Sequence, residues 1–265
     1  MTSQPTSPKQ ATSPNRVALV TGATAGIGAE FAAQLAARGY DLVLVARGAD
    51  RLSLASERLS AEFGIRVETI AVDLATDEGV AAVEARILAD ERPVDFLVNN
   101  AGYGLAKHFD ENSLADELHH LTLHVTVPLR LAHAALGQML PRRSGTIVNI
   151  ASVAGFTPRD TYGAAKAWVL SFSRWANGYY RGRGVTVTAV APGFVRTEFH
   201  ASMNVSTAGI PKILWLDAPR LVRLALRDVD RGKAVSIPTL RYKALVAAIR
   251  VLPDRLSASG SLRSQ

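Results

Sequence analysis

Val17-Ala18-Leu19-Val20-Thr21-Gly22-Ala23-Thr24-Ala25-Gly26-Ile27-Gly28 joins an apolar run to a turn with three glycines. Its first four residues form a short apolar run that stops at a Thr-Gly pair, as a buried strand does at a turn. From position 26 to position 38 apolar residues recur at helical spacing, and the pattern ends before Gly39. The order is strand, glycine turn, helix. The same unit recurs along the chain: strand 42–45, helix 50–63, strand 67–72, helix 77–89 and strand 94–98. A helix over 113–140, a strand at 146–150, a long helix at 161–181 and a strand at 185–190 follow. Strands alternating with helices predict a parallel sheet covered on both faces, a doubly wound α/β fold. Gly and Pro fall between these elements and mark no interdomain seam, so a single domain is expected over residues 16–255. Residues 1–15, rich in Ser, Thr and Pro, and residues 256–265 read as flexible tails.

Bulk properties narrow the function. The 265-residue chain is 48% hydrophobic and 20% charged, an ordinary globular profile, and no apolar run approaches a membrane span. The first fifteen residues lack the apolar stretch of a secretory signal, so a cytoplasmic location is the expectation. There is no cysteine, which excludes thiol nucleophiles, disulfides and cysteine-ligated metals. The net charge of +7 is uneven: residues 1–210 balance 19 basic against 19 acidic side chains, whereas residues 211–265 carry 11 against 4. A charge excess confined to one end gives no ground for expecting a nucleic-acid partner.

The glycine turn sits where a helix N-terminus offers free N–H groups and partial positive charge, the place for a pyrophosphate. Gly22 suits a tight turn, Gly26 a close approach to phosphate, and Gly28 close packing of helix on strand. At the end of the second strand, where a carboxylate would hold the adenosine ribose hydroxyls, the chain reads Ala46-Arg47. A guanidinium there suits a 2′-phosphate, which favours NADP(H) over NAD(H). Asp73, after the third strand, is placed either to meet the adenine amino group or to cap the helix beginning near Asp77.

Tyr162-Gly163-Ala164-Ala165-Lys166 puts a phenol and an ammonium one helical turn apart on one face. A nearby ammonium favours the phenolate, and lowering the tyrosine pKa by about 3 units corresponds to roughly 4 kcal/mol. That shift would fit Tyr162 to proton exchange near neutrality. Taken alone the pair is common on helices. Together with the glycine turn, Asn99-Asn100-Ala101-Gly102 after the fourth strand, Ser152 after the fifth, and Pro192-Gly193 with Thr197 after the sixth, it resembles the short-chain dehydrogenase/reductase family over about residues 16–200.

The resemblance implies a Rossmann-type fold and hydride transfer at a nicotinamide, interconverting a ketone and a secondary alcohol. It implies that Ser152 holds the substrate oxygen, that Tyr162 exchanges its proton, and that Lys166 binds the nicotinamide ribose while polarising Tyr162. Thr24 and Ile27 would line the phosphate turn, Asn100, Ala101 and Gly102 would pack beside the adenosine ribose, and Pro192, Gly193, Val195 and Thr197 would meet the nicotinamide end. Homodimers or homotetramers are implied as well, with the helices bearing His133 and Trp168 as suitable contacts. Two departures stand out. His124 occupies a position where the family usually has an asparagine that seats a water relay behind the lysine. The Ser152 to Tyr162 interval is shorter than the family commonly shows, which predicts a more open substrate mouth. His120 and His124, four apart, invite a metal reading, but a third ligand and a hydrolase glutamate are missing, so no metal is expected.

Residues 194–216 break the rhythm of the chain and read as a lid after a strand's carboxyl end. Phe194, Phe199, Leu214 and Trp215 around it suit an apolar substrate, a fatty-acyl, sterol-like or aromatic carbonyl, and equally suit ordinary core packing. The stretch 240–252 reads as a mostly apolar helix with Lys243 and Arg250 along one side. Docking on the body is one expectation; contact with a membrane surface, an acyl carrier or coenzyme A is the other. The rival to an enzyme is an NADP(H)-binding regulatory or membrane-surface protein of the same fold.

Overall fold

The structure is a computed structural model that describes residues 16–105, 107–158, 160–196 and 211–249. Seven parallel strands form one sheet: β1 (Val17–Thr21), β2 (Asp41–Ala46), β3 (Val67–Ala71), β4 (Val94–Asn99), β5 (Gly145–Ile150), β6 (Val185–Val190) and β7 (Val235–Ser236). Their spatial order is 3-2-1-4-5-6-7, so the chain reverses direction across the sheet between β1 and β4. This is the doubly wound arrangement in which ligands bind beyond the strand carboxyl ends at that crossover. The strands β1, β2 and β4 to β6 are almost wholly buried, as a sheet covered on both faces requires.

Eight α-helices are described: α1 (Gly26–Ala36), α2 (Ala49–Phe63), α3 (Asp77–Leu88), α4 (Leu114–Leu121), α5 (Val127–Arg142), α6 (Thr161–Tyr180), α7 (Ala218–Asp230) and α8 (Leu240–Ile249). Two apolar clusters flank the sheet. One gathers Phe31, Leu35, Leu44, Val222 and Leu226; the other gathers Val43, Val83, Leu97, Leu131 and Met139. Beneath the crossover a polar chain runs through the interior. Asn99 Nδ2 donates to Asn149 Oδ1 at 2.8 Å, and Asn149 Nδ2 donates to Ser173 Oγ at 3.0 Å. It ties β4 and β5 to α6, and a buried polar group left unpaired there would cost about 1–3 kcal/mol.

One expectation from sequence is corrected, one strand was not anticipated, and the docking of the C-terminal helix is as expected. The helix expected over 113–140 is not continuous, because Thr122–Thr126 is a π-helical turn between α4 and α5. Its apolar spacing continues through the wider turn, which hides the extra residue from a periodicity argument. Strand β7 was not anticipated, being only two residues long. The 240–252 helix is described to Ile249 and is docked on the body through Tyr242 and Val246, each 2% exposed, while Arg241 and Lys243 face outward. Among the described residues no helix is long and apolar enough to cross a membrane.

Candidate active site

The glycine turn is built by contacts that leave no room for a side chain. Gly22 and Gly26 have φ of 65° and 54°, the left-handed region that favours glycine. A Cβ on Gly28 would lie 2.2 Å from the Gly22 carbonyl oxygen, so only glycine lets α1 start this close to β1. Ala25, the residue before α1, offers no side-chain acceptor to the first turn, and no acidic residue stands there. The amides of that turn therefore remain available to an anion. Thr21 and Asn100 lash the turn to the end of β4. The amides of Asn100 and Ala101 donate to Thr21 Oγ1 at 2.9 and 3.0 Å, and Asn100 Nδ2 donates to the carbonyls of Thr21 and Gly22 at 2.9 and 3.2 Å. The Asn100 side chain thus holds the turn, a task its resemblance-based assignment beside the ribose did not include.

Arg47 follows β2 and is exposed. A second guanidinium that the sequence reading missed stands one turn further on: Arg51 NH2 donates to the Thr24 carbonyl at 3.2 Å, directly over the glycine turn. A basic residue at i+4 from Arg47 was the available signal. Asp73 does not cap α3. Its Oδ1 accepts from the Ala75 amide at 2.9 Å, and the cap is Thr76, which accepts from the Gly79 amide at 3.1 Å.

At the carboxyl ends of β5 and β6 the second half of the site assembles. Ser152 precedes a short 3₁₀ turn, Val153–Phe156, and its Oγ accepts from the Ala154 amide at 3.2 Å. The Ser152 hydroxyl acts on the Tyr162 phenol in the direction that favours its ionised form. The short interval to Tyr162 closes because Gly155 lies flat on α6, where a Cβ would come within 2.7 Å of the Lys166 carbonyl carbon. Asp160 caps α6 by accepting from the Gly163 amide at 2.6 Å, which sets the helix start and the facing of Tyr162 and Lys166. Lys166 is buried, and its Nζ donates to the Ile150 carbonyl at 2.7 Å.

The electrostatics of this pair correct the expected direction. Removal from water pushes Tyr162 up to about 12, with the Ser152 hydrogen bond opposing, and the same desolvation brings Lys166 down to about 7. The ammonium does not prevail over burial because its Nζ stands 5.6 Å from the Tyr162 ring centre and is itself poorly solvated. Burial therefore favours the neutral form of both groups, the phenol and the amine.

His124 sits in the π-turn, 1% exposed, its ring edge-on to Tyr162 at 5.5 Å between centres. Its Nε2 lies 2.6 Å from the Tyr103 carbonyl oxygen and 3.3 Å from the Tyr103 amide nitrogen. A carbonyl only accepts, so the shorter contact assigns the proton to Nε2 and leaves Nδ1 as a lone pair. Gly102 is shaped for this ring: a Cβ there would meet His124 Cε1 at 2.4 Å. Burial and the Lys166 charge hold His124 well below the usual imidazole range.

Pro192 accepts from the Val153 amide at 2.9 Å, which joins the end of β6 to the Ser152 turn. Gly193 rests on the Tyr242 ring, and Val195 is buried where it bridges to Leu216. Phe194 and Trp215 lie 6.0 Å apart between ring centres. Thr197, Phe199, Arg250 and most of the expected lid, like the two tails, lie outside the described residues.

A family model described as short chain dehydrogenase matches residues 16–207. The chain belongs to the short-chain dehydrogenase family. As such it is an oxidoreductase of a family that uses nicotinamide cofactors. Over 192 residues this dehydrogenase is 32% identical to 3-oxoacyl-[acyl-carrier-protein] reductase FabG of Aquifex aeolicus, covering 71% of this chain and 77% of the relative. Among solved structures it is similar to a short-chain dehydrogenase from Sphingobium yanoikuyae in complex with NADPH, at TM-score 0.81 and 35% identity, covering 93% of this chain and all of the other. The bulky-bulky ketone specific alcohol dehydrogenase from Comamonas testosteroni matches at TM-score 0.77 and 35% identity, over 89% of this chain and 92% of the other. The dehydrogenase's own residues fit a dinucleotide: a cradle at Gly28 that a Cβ would fill, uncapped first-turn amides, and two guanidinium-bearing residues, Arg47 and Arg51, after β2.

Proposed function

We propose that the chain is an NADP(H)-dependent oxidoreductase that interconverts a ketone and a secondary alcohol on an apolar substrate. The observation that carries this reading is the assembly of Ser152, just after β5, with Tyr162 at the start of α6 and the buried Lys166 one turn further along it, its Nζ 5.6 Å from the Tyr162 ring centre. The bound cofactor supplies or accepts the hydride; the chain's residues do the rest. Ser152 and Tyr162 present two hydroxyl groups that hold a carbonyl oxygen, and the protonated phenol donates to it as negative charge develops. In the oxidation direction the Tyr162 oxygen takes the alcohol proton, and the Lys166 amine, 5.6 Å from the ring centre, stabilises the phenolate when it is charged.

Arg47 and Arg51 offer two guanidinium groups for a 2′-phosphate, and the end of β2 reads Ala46-Arg47 with no carboxylate at that position. Asp73 keeps a carboxylate oxygen for the adenine side, beyond its bond to Ala75. The Phe194 and Trp215 rings, 6.0 Å apart between centres, would give a substrate an apolar wall, while Leu214 packs against the core. Relatives named for acyl and bulky-ketone substrates support that choice. Exposed Leu114, Leu118 and Leu121 on α4 and Trp175 and Tyr179 on α6 suit pairing with a second copy of the chain.

The test is a panel of aliphatic, steroidal and aromatic ketones with NADPH and NADH, using the wild type, Tyr162→Phe and Arg47→Ala. Turnover by the wild type, its loss in Tyr162→Phe with cofactor still bound, and a fall in NADPH preference in Arg47→Ala are expected. Cofactor binding without turnover across the panel would overturn the enzyme reading in favour of a regulatory one.

A further inference from the structure

Tyr242, on α8, stands outside the Ser152, Tyr162 and Lys166 set, yet each of its groups is turned on the segments beside that set. It is 2% exposed. Its ring packs on Gly193, where a Cβ would come within 1.8 Å of Cζ. Its hydroxyl has one proton to give and lone pairs to offer, and it uses both. It accepts from the Phe194 amide at 3.0 Å and donates to the Leu214 carbonyl at 2.7 Å. An amide N–H only donates and a carbonyl only accepts, so the direction of each bond is fixed. Burial pushes the phenol up, against the Phe194 amide and the Arg241 charge, and so keeps the proton that Leu214 needs. A phenylalanine would fill the same space. Packing alone therefore does not account for the hydroxyl.

The two residues held in this way carry the apolar wall. Phe194 supplies one ring, and Leu214 is followed directly by Trp215, which supplies the other at 6.0 Å between centres. The two segments also meet in backbone bonds around the Val195 to Leu216 bridge: the Leu216 amide donates to the Phe194 carbonyl at 2.8 Å, and the Arg196 amide to the Leu216 carbonyl at 3.2 Å. Arg241, the neighbour of Tyr242 on α8, donates to the Ile213 carbonyl, so α8 grips two consecutive carbonyls just ahead of Trp215. On its other side the Phe194 segment reaches the Ser152 turn, where the Pro192 carbonyl accepts from the Val153 amide at 2.9 Å.

We propose that Tyr242 is a positioning residue for substrate choice: through its hydroxyl it holds the Phe194 and Trp215 rings as one wall beside the Ser152 turn, and so favours ketones bulky enough to reach that wall. The proposal rests on the oxidoreductase reading. Tyr242 has no part in proton or hydride transfer; it acts on the substrate through the two rings. A small ketone, held by Ser152 and Tyr162 alone, does not sense the hold.

The experiment compares the wild type with Tyr242→Phe on butan-2-one and on phenyl alkyl ketones from acetophenone to hexanophenone, with the reduced cofactor that the wild type uses. The ratio of kcat/KM for hexanophenone to that for butan-2-one is expected to fall about tenfold, the lower end of what a misfit in an apolar pocket gives. Most of the change should lie in KM for the longer ketones, with kcat for butan-2-one within about twofold. This ratio does not depend on the fraction of folded enzyme, so a merely stabilising tyrosine would leave it unmoved, and an unmoved ratio overturns the proposal. Phe194→Leu, which trims the wall and leaves Tyr242 in place, should lower the same ratio; if it does not, the wall does not choose the substrate and the proposal fails. A second arm needs no turnover. With 5-fluorotryptophan at the three tryptophans of the chain, the ¹⁹F resonance of Trp215 should shift or broaden in Tyr242→Phe while those of Trp168 and Trp175, on α6, stay in place. A Trp215 signal that does not move, or three signals that move alike, overturns the hold. A wild type that turns over no ketone refutes the oxidoreductase reading instead, and the fluorine spectra still decide whether Tyr242 holds the wall.

Discussion

Lys166→Met removes an amine that the fold holds out of water, and its effect on stability should depend steeply on pH. In the folded chain the group titrates at about 7; unfolded, it returns to its ordinary value of 10.5. Between those values the unfolded chain binds a proton that the folded chain does not, so wild-type stability rises with pH through this window and is depressed below it. With 1.36 kcal/mol per pH unit, the penalty amounts to about 4 kcal/mol at pH 7 and about 1 kcal/mol at pH 10. Methionine has no such penalty, but it leaves the Ile150 carbonyl without the 2.7 Å donor it now has, a loss of about 1–3 kcal/mol at any pH. The variant should therefore be the more stable protein at pH 7, by about 1–3 kcal/mol, and should lose that advantage by pH 10. Urea unfolding of cofactor-free protein at pH 7, 8, 9 and 10 measures the difference. A wild-type minus variant gap that stays constant from pH 7 to 10 would show that Lys166 is not held out of water as a depressed amine, since a contact-only effect has no reason to titrate there.

Gly28→Ala drives a methyl group into the Gly22 carbonyl, so cofactor binding measured by fluorescence titration should weaken by about 1–3 kcal/mol, the usual scale of overpacking. Arg51→Ala should reduce the NADPH over NADH preference by roughly tenfold or more, the loss of one hydrogen bond to a charged group, with competition titrations of the two cofactors as the readout. Tyr242→Phe keeps the ring under Gly193 and deletes the hydroxyl, which accepts from the Phe194 amide at 3.0 Å and donates to the Leu214 carbonyl at 2.7 Å. Chemical denaturation should show a loss of about 1–3 kcal/mol.

Much of the fold was legible because its signals are local. A four-residue apolar run, a glycine turn and a helical pattern repeated along the chain require a covered parallel sheet, and the sheet order places the crossover beside the glycine turn. Ser152, Tyr162 and Lys166 were legible through motif order, and the structure brings them together. What was not legible depended on three-dimensional surroundings. The direction of the Tyr162 and Lys166 shifts reversed because burial of both groups outweighs their mutual attraction, and spacing on a helix carries no measure of depth. The π-turn escaped notice because Leu123 and Val125 continue an apolar pattern across it. Arg51 was hidden among the polar residues of α2, and His120 looked like half of a metal site until its ring was found against Tyr162.

Tyr242 lies beyond the stretch that the family model matches, yet its one hydroxyl joins Phe194 to Leu214, while its ring forms the floor under Gly193. A chimera that exchanged the C-terminal segment for a relative's would therefore not be a cosmetic graft. The donor segment would need a flat aromatic with a hydroxyl at this register, and the acceptor would need glycine at 193, where a Cβ would come within 1.8 Å of the ring. The two positions pack as one unit, and engineering of substrate range from the C-terminal side must move them together.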